Sequence, residues 1–117
     1  MTCFKVLLPV VAAAAAIALS PSALRAAEQF DGKKIFLAQK CEMCHAVSSA
    51  DIKATGKIKA PDLTGLATKQ DATLLSRYLR RDADIGGKKH IKPFTGSDEE
   101  AGALIAWLQK QVPPAKK

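Results

Sequence analysis

Little in this sequence can fill a hydrophobic core. Of 117 residues only six are aromatic, and beyond the first 26 these are Phe30, Phe36, Tyr78, Phe94 and Trp107. Apolar and polar residues never alternate for long enough to make a strand, which leaves helices and loops. There is no internal repeat. Low complexity is confined to the alanine-rich start, so repeat architectures and disordered tracts are set aside. Histidine occurs twice, at His45 and His90, and cysteine three times, at Cys3, Cys41 and Cys44. So few soft ligands leave a four-ligand structural zinc site poorly supplied. Methionine is scarcer still, with Met1 and Met43 alone.

The start of the chain reads as a targeting segment. Lys5 gives a short positive opening, residues 6–19 are apolar apart from Pro9, and Ser20-Pro21-Ser22 breaks the run before small residues at Ala26 and Ala27. This is the three-part pattern of a secretory signal. It is short for a membrane span, which needs about 20 apolar residues, although an uncleaved N-terminal anchor is the alternative. The expected organisation is a signal peptide over 1–26 and one domain over 27–117, exported to the periplasm. The leader would take Lys5 and Arg25 with it, leaving sixteen basic and eleven acidic residues and a net charge of +5. A positive surface favours acidic partners. The bases are scattered and no stacking platform accompanies them, so nucleic acid is not indicated.

Three helices are expected, with the first spanning about Asp31 to Cys41 and capped by Asp31. The second covers about Asp71 to Arg81, with Leu74, Leu75, Tyr78 and Leu79 as an apolar stripe. Ser97 and Glu100 form a capping box for the third, which presents Ala101, Leu104, Ile105 and Leu108 on one face and stops before Pro113-Pro114. Two long loops, 47–69 and 82–96, separate them. Unstructured connections of that length are uncommon in a compact domain, unless they wrap something large.

The chemistry lies in Cys41-Glu42-Met43-Cys44-His45. Cys-x-x-Cys-His is a c-type haem attachment motif: two thiols three residues apart each add to one vinyl group of a porphyrin, and the next histidine lies under the iron. The competing readings are a redox dithiol, which wants a βαβ setting, a zinc site, and a plain disulfide between Cys41 and Cys44. Export agrees with haem, whose attachment in bacteria takes place outside the cytoplasm.

From these residues outward the chain resembles the class I cytochromes c. Gly32-Lys33-Lys34-Ile35-Phe36, then Gln39-Lys40-Cys41 and Cys44-His45, resembles their N-terminal helix and haem site. Ala60-Pro61-Asp62-Leu63-Thr64-Gly65-Leu66 resembles their Pro-x-Leu-x-Gly segment, and Leu104-Ile105-Ala106-Trp107-Leu108 their C-terminal helix. The resemblance implies a small all-α fold wrapped around one covalently bound haem. It also implies that His45 is the proximal iron ligand, that the Pro61 carbonyl accepts a hydrogen bond from its other ring nitrogen, and that Gly32 and Phe36 pack on Leu104 and Trp107. The function implied is electron transfer between redox partner proteins rather than enzymatic catalysis.

One part of the family pattern is missing. Class I members usually bring a methionine to the sixth iron position from the loop before the last helix, yet no methionine follows Cys44. The corresponding place falls near Ile91 or Lys92, beside His90. His90 is the leading candidate for the sixth ligand, followed by Lys92, then Lys89, with an open site as the remaining possibility. A second nitrogen ligand predicts a lower reduction potential than a methionine would give. An open site predicts instead a module that binds a small ligand, and a subunit of a larger redox enzyme is a further alternative. Lys40, Lys57, Lys59, Lys88, Lys89 and Lys92 lie in or beside segments expected at the haem edge, where they would guide acidic partners.

Overall fold

The computed structural model describes residues 30–115, so the expected signal peptide over 1–26 lies outside the described residues. Within them the chain forms α1 (Gly32–Ala38), α2 (Ala72–Leu79) and α3 (Asp98–Gln109). Short 3₁₀ turns at Cys41–Met43, Ser48–Ala50 and Ala67–Lys69 punctuate the connections. Among the described residues there is no strand, only isolated bridges pairing Val47 with Ile52 and Ile85 with Lys88. The fold is all-α. None of these helices is long and apolar enough to cross a membrane.

Each helix begins on a side chain that satisfies its first N–H groups. The Asp31 carboxylate accepts from the N–H of Lys33 and Lys34 at 2.9 and 3.2 Å, and Asp71 does the same for Thr73 and Leu74 at 3.0 and 3.2 Å. At α3 the Glu100 N–H donates to Ser97 Oγ at 3.1 Å while Ser97 N–H donates to Glu100 Oε2 at 2.8 Å, closing the capping box.

The ends of α1 and α2 come earlier than hydrophobic spacing predicts, and for a common reason. Lys40 and Arg81 take left-handed backbone angles, with φ of 57° and 67°, which no α-helix accommodates. Arg81 closes α2 in a Schellman pattern, with Asp82 N–H donating to the Arg77 carbonyl at 2.8 Å and Arg81 N–H to Tyr78 at 3.0 Å. Lys40 turns the chain so that the cysteine segment starts a new, tighter turn instead of extending α1.

The core is small and lies where α1 crosses α3. Phe36 is fully buried, and its ring centroid is 5.5 Å from that of Trp107. Ala101, Leu104, Ile105 and Leu108 are buried on the inner face of α3. Gly32 makes the crossing possible, because a Cβ there would lie 2.6 Å from the Ala103 carbonyl and overlap the Trp107 Cβ. α2 differs from both neighbours. Its apolar stripe of Leu74, Leu75, Tyr78 and Leu79 is only half-buried, and no residue of the helix is buried outright. A helix with so clear a stripe normally hides it, so the chain alone leaves this face incompletely covered.

Candidate functional site

Local geometry concentrates the cysteine motif into one tight turn. Cys44 N–H and His45 N–H both donate to the Cys41 carbonyl, at 3.1 and 2.9 Å. Both cysteines are free thiols, not a disulfide. Burial, and then the negative charge of Glu42, pushes the Cys41 thiol up to about 11. A thiol held protonated in this way is a poor attacking group for disulfide exchange. The turn is backed by residues 55 and 56, whose N–H groups donate to the carbonyls of Glu42 and Met43 at 2.8 and 2.9 Å. A Cβ on Gly56 would overlap the Met43 carbonyl. Nothing local in the sequence around Gly56 announces this contact with a residue thirteen positions away.

His45 Nδ1 lies 2.9 Å from the Pro61 carbonyl. A carbonyl only accepts, so the proton is on Nδ1 and the lone pair is on Nε2. The Pro61 loop is itself held in place. Asp62 Oδ1 accepts from the N–H of Thr64 at 2.9 Å and of Ser48 at 3.3 Å, and Leu63 N–H donates to the Ala46 carbonyl at 2.9 Å.

The loop between α2 and α3 brings His90 to the opposite side. The ring centroids of His45 and His90 are 6.2 Å apart and their planes differ by 10°. His90 Nδ1 donates to the Lys92 carbonyl, which frees its Nε2 by the same argument. Tyr78 of α2 meets the His90 ring edge-on at 5.3 Å; sequence reading had placed Tyr78 in the helix stripe and not against a histidine. Burial lowers the basicity of His90; the Lys92 carbonyl opposes this and His45 adds to it. The imidazole is therefore biased toward its neutral form, which is the form that ligates a metal.

The two lysines weighed as alternative ligands are engaged elsewhere. Lys92 Nζ donates to the Gln39 carbonyl at 2.9 Å, and Lys89 Nζ donates to the Arg81 carbonyl at 3.2 Å and lies 3.5 Å from Asp84. Ile91, which with Lys92 marks the place where the missing methionine would align, is 77% exposed.

The arrangement fits a planar metal centre between the two rings. Imidazoles 6.2 Å apart are too distant to touch. Two metal–nitrogen bonds of about 2.0–2.1 Å, with about 1.1 Å from each nitrogen to its ring centroid, span about 6.2–6.4 Å. Among the described residues no three His, Cys, Asp or Glu side chains gather to hold a metal by themselves; a porphyrin would bring the remaining donors with it.

Comparison with known proteins agrees. The family model described as Cytochrome c matches residues 30–111. No curated protein and no solved structure gave a match. That match takes in the Cys41–His45 turn, the Pro61 loop, His90 and all three helices, so the chain belongs to the cytochrome c family, whose members carry covalent haem c and transfer electrons through its iron.

Proposed function

We propose that this protein is a periplasmic monohaem electron carrier, whose haem would be bound through Cys41 and Cys44 with His45 and His90 as the protein ligands of its iron. The observation that carries the reading is the His45–His90 pair, two nearly parallel imidazoles with centroids 6.2 Å apart, each with Nδ1 spent on a backbone carbonyl. The leader-like residues 1–26 support export.

Bound haem c supplies a one-electron iron couple. The chain's part is to keep the surroundings fixed while the charge changes. Both imidazoles are held by backbone carbonyls rather than by mobile side chains, which sets their tautomers and ring orientations. Two nitrogen donors favour a potential below that of the histidine–methionine members. Lys40, Lys57, Lys59 and Lys88 are exposed and suit an encounter with acidic redox partners. Exchange rates that fall with ionic strength would support that role, and rates indifferent to salt would remove it.

Absorption and electron paramagnetic resonance spectra of the holoprotein and of His90→Ala test the ligand assignment. A six-coordinate low-spin wild type that becomes high-spin on substitution supports it. Identical spectra overturn it.

A further inference from the structure

We propose that Lys92 is the positioning residue of the distal ligand, latching the His90 loop onto the end of α1 with its side chain while its backbone orients the His90 ring. The inference rests on His90 being the sixth ligand. It adds a residue that acts on the iron only through His90 and decides how firmly His90 stays in place.

Lys92 makes two contacts in opposite directions. Its carbonyl accepts from His90 Nδ1. Its ammonium donates to the carbonyl of Gln39, the residue that closes α1, at 2.9 Å. The last carbonyls of a helix have no partner within it, and they form the negative end of its dipole, so a cation is well placed there. The same residue takes a second tie, from Thr95 Oγ1 to Gln39 Oε1 at 3.3 Å. Position adds to the argument, because Gln39 is two residues before Cys41. The latch therefore connects the segment carrying the distal histidine directly to the segment carrying the first thioether cysteine.

Other anchors flank the pair. Upstream the chain turns through the Ile85–Lys88 bridge, with Gly86 and Gly87 at positive φ, and Lys89 Nζ donates to the Arg81 carbonyl at 3.2 Å from an exposed position. Downstream Phe94 N–H donates to the Leu79 carbonyl at 2.8 Å. Between these anchors, His90 is held to Lys92 and Lys92 is held to Gln39. Loss of the ammonium leaves the His90–Lys92 contact intact but lets the pair swing as a unit.

Carbon monoxide binding to the ferrous holoprotein reads this directly, since the gas enters only when His90 leaves. Lys92→Leu keeps the backbone carbonyl and an apolar stem with no atom that can bind iron, and should bind the gas about five-fold faster than wild type, the size of a charge-assisted bond discounted for solvent. Its resting low-spin spectrum should be unchanged. Lys92→Arg restores a cationic donor and should return the rate to within about two-fold of wild type. Thr95→Val cuts only the second tie and should give a smaller acceleration. His90→Ala is the control: fast binding with an altered resting spectrum upholds the ligand assignment on which the latch depends. Wild-type rates in Lys92→Leu beside a fast His90→Ala overturn the latch and leave the ligand intact. A resting spectrum changed by Lys92→Leu but not by His90→Ala overturns both, making Lys92 the ligand. If Lys92→Leu does not accumulate, an unaltered rate in Thr95→Val overturns the latch.

Discussion

Gly32 of α1 and Trp107 of α3 meet at backbone distance: a Cβ on residue 32 would overlap the Trp107 Cβ and come within 3.0 Å of its Cγ. The contact fixes how α1 lies, and α1 ends only three residues before Cys41. Gly32→Ala should therefore destabilise the holoprotein by about 2–3 kcal/mol, the upper part of the usual range for an overpacked core. A thermal melt followed at the haem band measures this. An unchanged midpoint would mean that the crossing has slack.

Gly102 provides the opposite case on the same helix. It is exposed within α3, and a Cβ added there meets no heavy atom within 4 Å. Gly102→Ala should stabilise by roughly 0.5–1 kcal/mol through the entropy that glycine loses in a helix. A denaturant midpoint that rises with unchanged slope is the expected result; a fall would reveal a contact on that face.

The contrast between these glycines shows what the sequence makes legible. The all-α class, the capping box at Ser97 and Glu100, and the Gly32–Phe36–Trp107 crossing follow from local pattern and from family resemblance. The ends of α1 and α2 do not, because Lys40 and Arg81 adopt φ angles of 57° and 67° that neither residue type advertises. The approach of His90 to His45 spans 45 residues of chain, and the sequence offers only the lack of a methionine as a clue. Lys92 was legible as a cation near the iron, hence as a ligand candidate. Its bond to the Gln39 carbonyl depends on how the loop folds back over α1, which no spacing rule encodes.

Ser97→Ala removes the oxygen that Glu100 N–H donates to, and leaves only the half of the capping box in which the residue 97 N–H donates to Glu100 Oε2. The loss should be about 1 kcal/mol, typical of an N-cap. Asp98 and Glu99 remain in the first turn to favour the helix dipole, so the helix should persist. Chemical denaturation gives the number; a cost near zero would show that those acids cap α3 without Ser97.

Asp62 makes the Pro61 loop sensitive to acid. Burial raises its carboxyl, but hydrogen bonds from Thr64 and Ser48 outweigh that and hold it below its ordinary value of 3.8. The unfolded chain then binds the proton first. The stability that Asp62 contributes is complete above that ordinary value and is lost as pH falls below it toward the folded one. Asp62→Ala should be less stable at neutral pH and should lose less on acidification. Equal acid dependence in the two proteins would remove Asp62 from the account.

His90→Met restores by substitution the ligand type that the sequence lacks. On the proposed ligation a thioether at this position would replace an imidazole nitrogen as partner to His45, and methionine with histidine raises the potential relative to two nitrogen donors. The rise should be on the order of 100 mV, a modest part of the roughly 0.8 V over which axial ligation acts. The Lys92 carbonyl loses its donor in this variant, so the loop should also exchange faster with added carbon monoxide. Spectroelectrochemical titration beside wild type separates the outcomes. A raised potential with a low-spin spectrum places residue 90 on the iron. An unchanged potential and spectrum would mean that the iron takes its sixth ligand elsewhere, and that the 6.2 Å approach of the two rings serves packing alone.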